Sequence, residues 1–89
     1  MFYTYVLRSL KDNKLYTGCT QNLQARLEAH QKGQVPSTAN RVPFELIYFE
    51  GCRNLKDARH RERYLKTHYG KMYLGKRLKS DSIRWILKK

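Results

Sequence analysis

A chain of 89 residues has room for one domain with a modest core. Nineteen Lys and Arg oppose seven Asp and Glu, and the resulting net charge of +12 favours a polyanion, nucleic acid or an anionic membrane surface, as the partner. No apolar run approaches the roughly 20 residues of a spanning helix, the N-terminus lacks a signal peptide's charged start and apolar stretch, and Cys19 and Cys52 have no metal-ligand spacing. These features weaken the membrane and secretion readings and predict a cytoplasmic protein with reduced thiols and no membrane partner.

Residues 2–8 are β-branched and aromatic and read as a strand, Lys11 to Lys14 as a turn, and Leu15 to Gly18 as the return strand. A two-residue loop at Asp12-Asn13 sets Tyr16 opposite Ser9, so Tyr5 and Tyr16 project from one face of the hairpin. A helix follows, capped by Thr20 or Asn22 and ended by Gly33. Leu23 and Leu27 mark its buried stripe, with Arg26 and His30 at the edge of that stripe. Residues 33–43 are a polar loop closed by prolines, and Phe44 to Glu50 are a third strand. Asn54 and Asp57 open a helix running to about Thr67, with Leu55, Ala58, Glu62 and Leu65 facing inward. Gly70 breaks the pattern, and Lys71 to Lys79 form a short third helix anchored by Met72 and Leu78. The expectation is an α+β fold: a small, three-stranded, mostly antiparallel sheet flanked by three helices. Residues 1–79 form the domain and residues 80–89 a tail that docks on it through Ile83, Trp85, Ile86 and Leu87.

The charge is unevenly spread. Residues 1–50 carry six Lys and Arg against four acids, and residues 51–89 carry thirteen against three. Glu62 is the only acid between Ala58 and Leu78, and it falls on the apolar stripe of its helix. A buried carboxylate must be paired or bind a cation, so Glu62 is either an arginine's partner, a residue at the stripe's wet edge, or a ligand for a hard cation such as magnesium. Arg26 is isolated at the core's edge, where it serves as a phosphate clamp or as a structural ion pair. Tyr5 and Tyr16 each read as packing when taken singly; two on one face near Arg26 and Glu62 point to a site. His30 titrates in the range of a general acid or base, or simply packs. Arg59, Arg61 and Arg63 read as a solvated or phosphate-facing surface.

The spacing resembles a known family. Thr4-Tyr5-Val6 and, further on, Tyr16-Thr17-Gly18 are similar to the paired tripeptides of the GIY-YIG nucleases, although the first has lost its Gly and Ile and the second has Thr for Ile. Arg26 follows the second tyrosine by ten residues and His30 by four more, and Glu62 lies in a later helix. These match the family's arginine, Tyr/His and metal-glutamate positions. The resemblance covers roughly residues 2–79, and the stretch Lys66 to Lys79 is similar to small stand-alone bacterial members related to the incision subunit of nucleotide-excision repair. It implies a metal-dependent endonuclease of DNA processing or repair, with structure selectivity a further candidate property, using one Mg2+ or Mn2+ on Glu62. Arg26 would neutralise the phosphate and Tyr16 activate the attacking water, with Tyr5 positioning it and His30 a rival base. Arg41, Arg59, Arg63, Lys66, Lys71 and Lys76 are the expected nucleic-acid contacts, to DNA ahead of RNA, and a protein partner is a further candidate source of specificity. The rival readings are a catalytically inactive nucleic-acid-binding module of the same fold and, more distantly, a structural RNA-associated protein.

Overall fold

The computed structural model describes residues 1–81. Strands β1 (Phe2–Ser9), β2 (Leu15–Thr20) and β3 (Phe44–Cys52) form one sheet in the order β2-β1-β3, with both pairings antiparallel. Three helices, α1 (Leu23–Gln31), α2 (Leu55–Leu65) and α3 (His68–Arg77), complete the expected α+β fold. The docking of the tail through Ile83, Trp85, Ile86 and Leu87 lies outside the described residues.

Alternation along β1 divides the core in two. Tyr5 and Leu7 pack with Phe44, Tyr16 and the α1 leucines Leu23 and Leu27. Val6 packs on the opposite face with Leu65 of α2 and Leu74 of α3. The sheet is thus covered by α1 on one face and by α2 and α3 on the other. Buried polar contacts fix both layers. The Thr4 hydroxyl donates to the Ala58 carbonyl at 2.8 Å and ties α2 to the central strand. The Gln31 amide donates to the Phe44 carbonyl at 2.6 Å and accepts from the Phe44 N–H at 2.8 Å, joining the end of α1 to the start of β3.

Three sequence expectations are corrected. The hairpin loop is longer than two residues: Tyr16 pairs with Leu7, not Ser9, and the ladder ends at Arg8 and Leu15. Asn13, at φ 60°, supplies the left-handed turn residue, with the Asn13 N–H bonded to the Ser9 carbonyl. The shift is two residues, so side-chain parity survives and Tyr5 and Tyr16 still share a face. Helix α3 begins at His68, with Gly70 inside its first turn. A Cβ on Gly70 would lie 2.0 Å from the Tyr64 carbonyl oxygen, so the glycine permits the tight α2–α3 junction. The buried row of α3 is therefore Gly70, Leu74 and the half-buried Leu78, whereas Met72 is exposed. Leu55, expected inward, is the first residue of α2 and is exposed.

Candidate active site

A cleft of ≈ 540 Å³ opens at the β2 edge of the sheet, between α1 and α2. Tyr5, Tyr16, Arg26 and Glu62 line it together, with Cys19, Arg59 and Leu55 among their neighbours. Each comes from a different element: β1, β2, α1 and α2. Asn22 caps α1 by accepting from the Ala25 N–H at 3.1 Å, which fixes the helix turn that carries Arg26. The fold thus assembles four of the five residues singled out by sequence.

Tyr5 belongs to the central strand, yet its hydroxyl reaches the cleft because its partner across the ladder is Gly18. A Cβ at Gly18 would stand 2.4 Å from the Tyr5 hydroxyl oxygen and 2.5 Å from Cζ. Glycine in the second tripeptide is thereby explained by a close approach: the phenol passes over the backbone where any side chain would block it. The Tyr5 and Tyr16 rings lie 6.4 Å apart, centroid to centroid.

His30, the fifth residue, sits behind Tyr5 rather than in the cleft. It is fully buried, with its Nε2 2.8 Å from the Tyr5 hydroxyl and its Nδ1 2.8 Å from the Thr38 hydroxyl. The rings of Tyr5, Tyr16 and Phe44 enclose it at centroid distances of 5.7, 5.0 and 5.9 Å. Burial, reinforced by the Arg26 charge, pushes its pKa down to about 4, so the imidazole is neutral at pH 7. Burial also raises the Tyr5 pKa, against the lowering effect of the nearby Arg26 guanidinium, so Tyr5 stays a neutral phenol. Arg26 is in turn held more firmly protonated by the neighbouring Tyr5 hydroxyl, with Tyr16 adding to the effect.

The Glu62 carboxylate is partly exposed, its side chain 23% accessible, and it accepts from the Lys66 ammonium at 3.0 Å. Its partner is thus a lysine one turn away, not an arginine from elsewhere. An i,i+4 pair with so exposed a lysine holds the carboxylate weakly. Among the described residues no three of His, Cys, Asp or Glu gather into a metal cluster. The donor set fits a hard cation that takes one carboxylate oxygen and draws its other ligands from water and substrate phosphate. It does not fit a metal site closed by protein alone.

The expected nucleic-acid contacts divide. Arg59 lines the cleft, and Arg63, Lys66, Lys71 and Lys76 are exposed on α2, α3 and the turn between them. Arg41 is engaged internally: it pairs with Asp12 at 3.3 Å and its guanidinium stands 5.8 Å from the Phe44 ring centroid. Arg61 likewise leaves the phosphate-facing set. Its Nε donates to Glu50 at 2.5 Å, and the guanidinium stacks on Tyr64 and Tyr73 at 4.9 and 4.6 Å. Sequence reasoning missed Thr38, which lies in a polar loop whose composition carries no sign of a buried hydroxyl.

The comparisons with known proteins agree with this geometry. A family model described as the GIY-YIG catalytic domain matches residues 1–77. The chain is 45% identical over 67 residues to a UPF0213 protein of Clostridium perfringens, covering 74% of this chain and 71% of that one. It is 42% identical over 88 residues to a UPF0213 protein of Pediococcus pentosaceus, covering 98% and 82%. A UPF0213 protein of Oceanobacillus iheyensis is 40% identical over 65 residues, covering 72% and 74%. No solved structure matches. No helix among the described residues is long and apolar enough to cross a membrane. The altered tripeptides notwithstanding, the chain belongs to the GIY-YIG catalytic domain family, whose activity is of nuclease type.

Proposed function

We propose that this protein is an endonuclease that hydrolyses phosphodiester bonds in DNA with one divalent cation, Mg2+ or Mn2+, acting in DNA processing or repair. The observation that carries the proposal is the cleft lined jointly by Tyr5, Tyr16, Arg26 and Glu62. Single residues of these types are common; four of them from four elements around one polar opening supply a phosphate clamp, two hydroxyls for a water and a cation ligand, which phosphodiester hydrolysis can use.

Arg26 binds the scissile phosphate and neutralises the charge that grows in the transition state. Tyr16, at the cleft wall, takes a proton from the attacking water. Tyr5, held neutral by burial, orients that water by hydrogen bonding. Glu62 holds the cation, which when bound supplies Lewis-acid stabilisation of developing negative charge. The exposed cations of α2 and α3 track phosphates and supply affinity without sequence choice. Selection therefore acts on the shape of the nucleic acid, or comes from a protein partner.

The test compares branched, flapped and linear DNA with matching RNA in Mg2+ or Mn2+. Wild type cuts at least one DNA substrate, and Tyr16→Phe loses cutting while retaining binding. A Tyr16→Phe variant that cuts at the wild-type rate removes tyrosine from the base role. Salt-sensitive binding with no cutting of any substrate overturns the nuclease reading in favour of a binding module.

A further inference from the structure

Four groups behind the cleft form a continuous hydrogen-bonded row: Tyr5, His30, Thr38 and the Val35 carbonyl. The Arg26 charge acts on the Tyr5 hydroxyl at the cleft end. That hydroxyl meets His30 Nε2 at 2.8 Å, His30 Nδ1 meets the Thr38 hydroxyl at 2.8 Å, and Thr38 donates to the Val35 carbonyl at 3.4 Å. Tyr5, His30 and Thr38 are all fully buried. The Val35 end fixes its polarity, because a carbonyl has only acceptors and the Thr38 proton must point to it.

We infer that Thr38 is a positioning residue, whose hydroxyl fixes His30 as the Nδ1–H tautomer and so turns the Tyr5 O–H away from the cleft and toward His30 Nε2. The row then runs one way: Tyr5 donates to His30, His30 to Thr38, and Thr38 to Val35. Every proton in it has an acceptor inside the protein. In the opposite tautomer Nε2–H would point at the Tyr5 oxygen, and the phenolic proton would be forced outward. The polarity matters because a Tyr5 oxygen whose own proton is committed to His30 presents only lone pairs to the cleft. A water there must donate to it, leaving that water's own lone pair free to face a phosphate. The groups facing His30 are Tyr5 from β1, Tyr16 from β2, Arg26 from its own helix, the Phe44 ring from β3 and Thr38 from the loop. None is a carboxylate, so hydrogen-bond direction rather than an acidic partner sets the tautomer.

The effect on turnover rests on the nuclease reading, but the tautomer does not, and the two are measured separately. Two-bond 15N–1H correlation spectra of the full chain at pH 7 report the protonated nitrogen of each histidine. Replacing the exposed His60 and His68 with Gln identifies the His30 signals. The expected result is Nδ1–H in wild type and in Thr38→Ser, with loss of that pure tautomer in Thr38→Val. On a DNA substrate that wild type cuts, Thr38→Val lowers kcat roughly 10-fold, the scale of other residues that orient a functional histidine, with KM unchanged and Thr38→Ser close to wild type. An Nε2–H signal in wild type overturns the inference even if Thr38→Val fails to fold. So does a switched tautomer with kcat unchanged. A protein that cuts nothing yet shows the expected tautomers contradicts the nuclease reading and leaves the hydrogen-bond row intact.

Discussion

Protonating His30 should unfold this protein more readily than its composition suggests, and the size of the effect follows from its burial. The imidazole is fully buried with its pKa lowered from 6.5 to about 4. The folded state therefore binds fewer protons than the unfolded state between those values. Stability from this source is fully present above about pH 6.5 and is lost as the pH falls toward 4, below which both states are protonated. Integrated from pH 7 to 4.5, the shift amounts to roughly 2 kcal/mol, a large share of the total for a chain of this size. Urea unfolding at the two pH values measures it, and His30→Gln is the control because every other titrating group is shared. Wild type should lose roughly 2 kcal/mol more than His30→Gln over that interval. Equal losses in the two proteins would refute the reasoning, as would an NMR titration in which folded His30 protonates near pH 6.5.

Two further outcomes are expected. Gly18→Ala should destabilise the fold by roughly 2 kcal/mol in urea, because the new Cβ meets a Tyr5 hydroxyl that His30 holds from behind; unchanged stability would mean that Tyr5 has room to move. In DNA binding, Arg63→Ala or Lys71→Ala should each lower the slope of log affinity against log salt by about 0.9, while Arg41→Ala, already paired with Asp12, should leave the slope unchanged and reduce stability instead.

Much of the site was legible because its residues stand at fixed spacings on elements with clear periodicity. Parity along β1 and β2 put Tyr5 and Tyr16 on one face even though the hairpin register was misplaced by two residues. Ala58 and Leu65 marked the buried side of α2 through ordinary helical spacing, and the same wheel carried Glu62 to the cleft. What failed depended on long-range contact. Gly70 looked like a helix breaker because its role, admitting the backbone of Tyr64 and Leu65, is invisible along the chain. That misreading set α3 out of phase and promoted Met72 over Leu74. Arg61 resembled its neighbours Arg59 and Arg63, and only the folded positions of Glu50, Tyr64 and Tyr73 distinguish it. His30 was placed at the stripe's edge; the loop that carries Thr38 and the start of β3 close over it and make it core.

The central claim is that the cleft at the β2 edge cuts phosphodiesters through Glu62. The most direct test is single-turnover cleavage of a DNA substrate in Mg2+ by wild type and Glu62→Gln, with affinity measured in parallel without metal. The several kcal/mol that a Lewis acid contributes correspond to a loss of roughly 100-fold or more in rate. Glu62→Gln should therefore bind DNA as wild type does and cut it at least that much more slowly. Cleavage by Glu62→Gln at the wild-type rate would contradict the account.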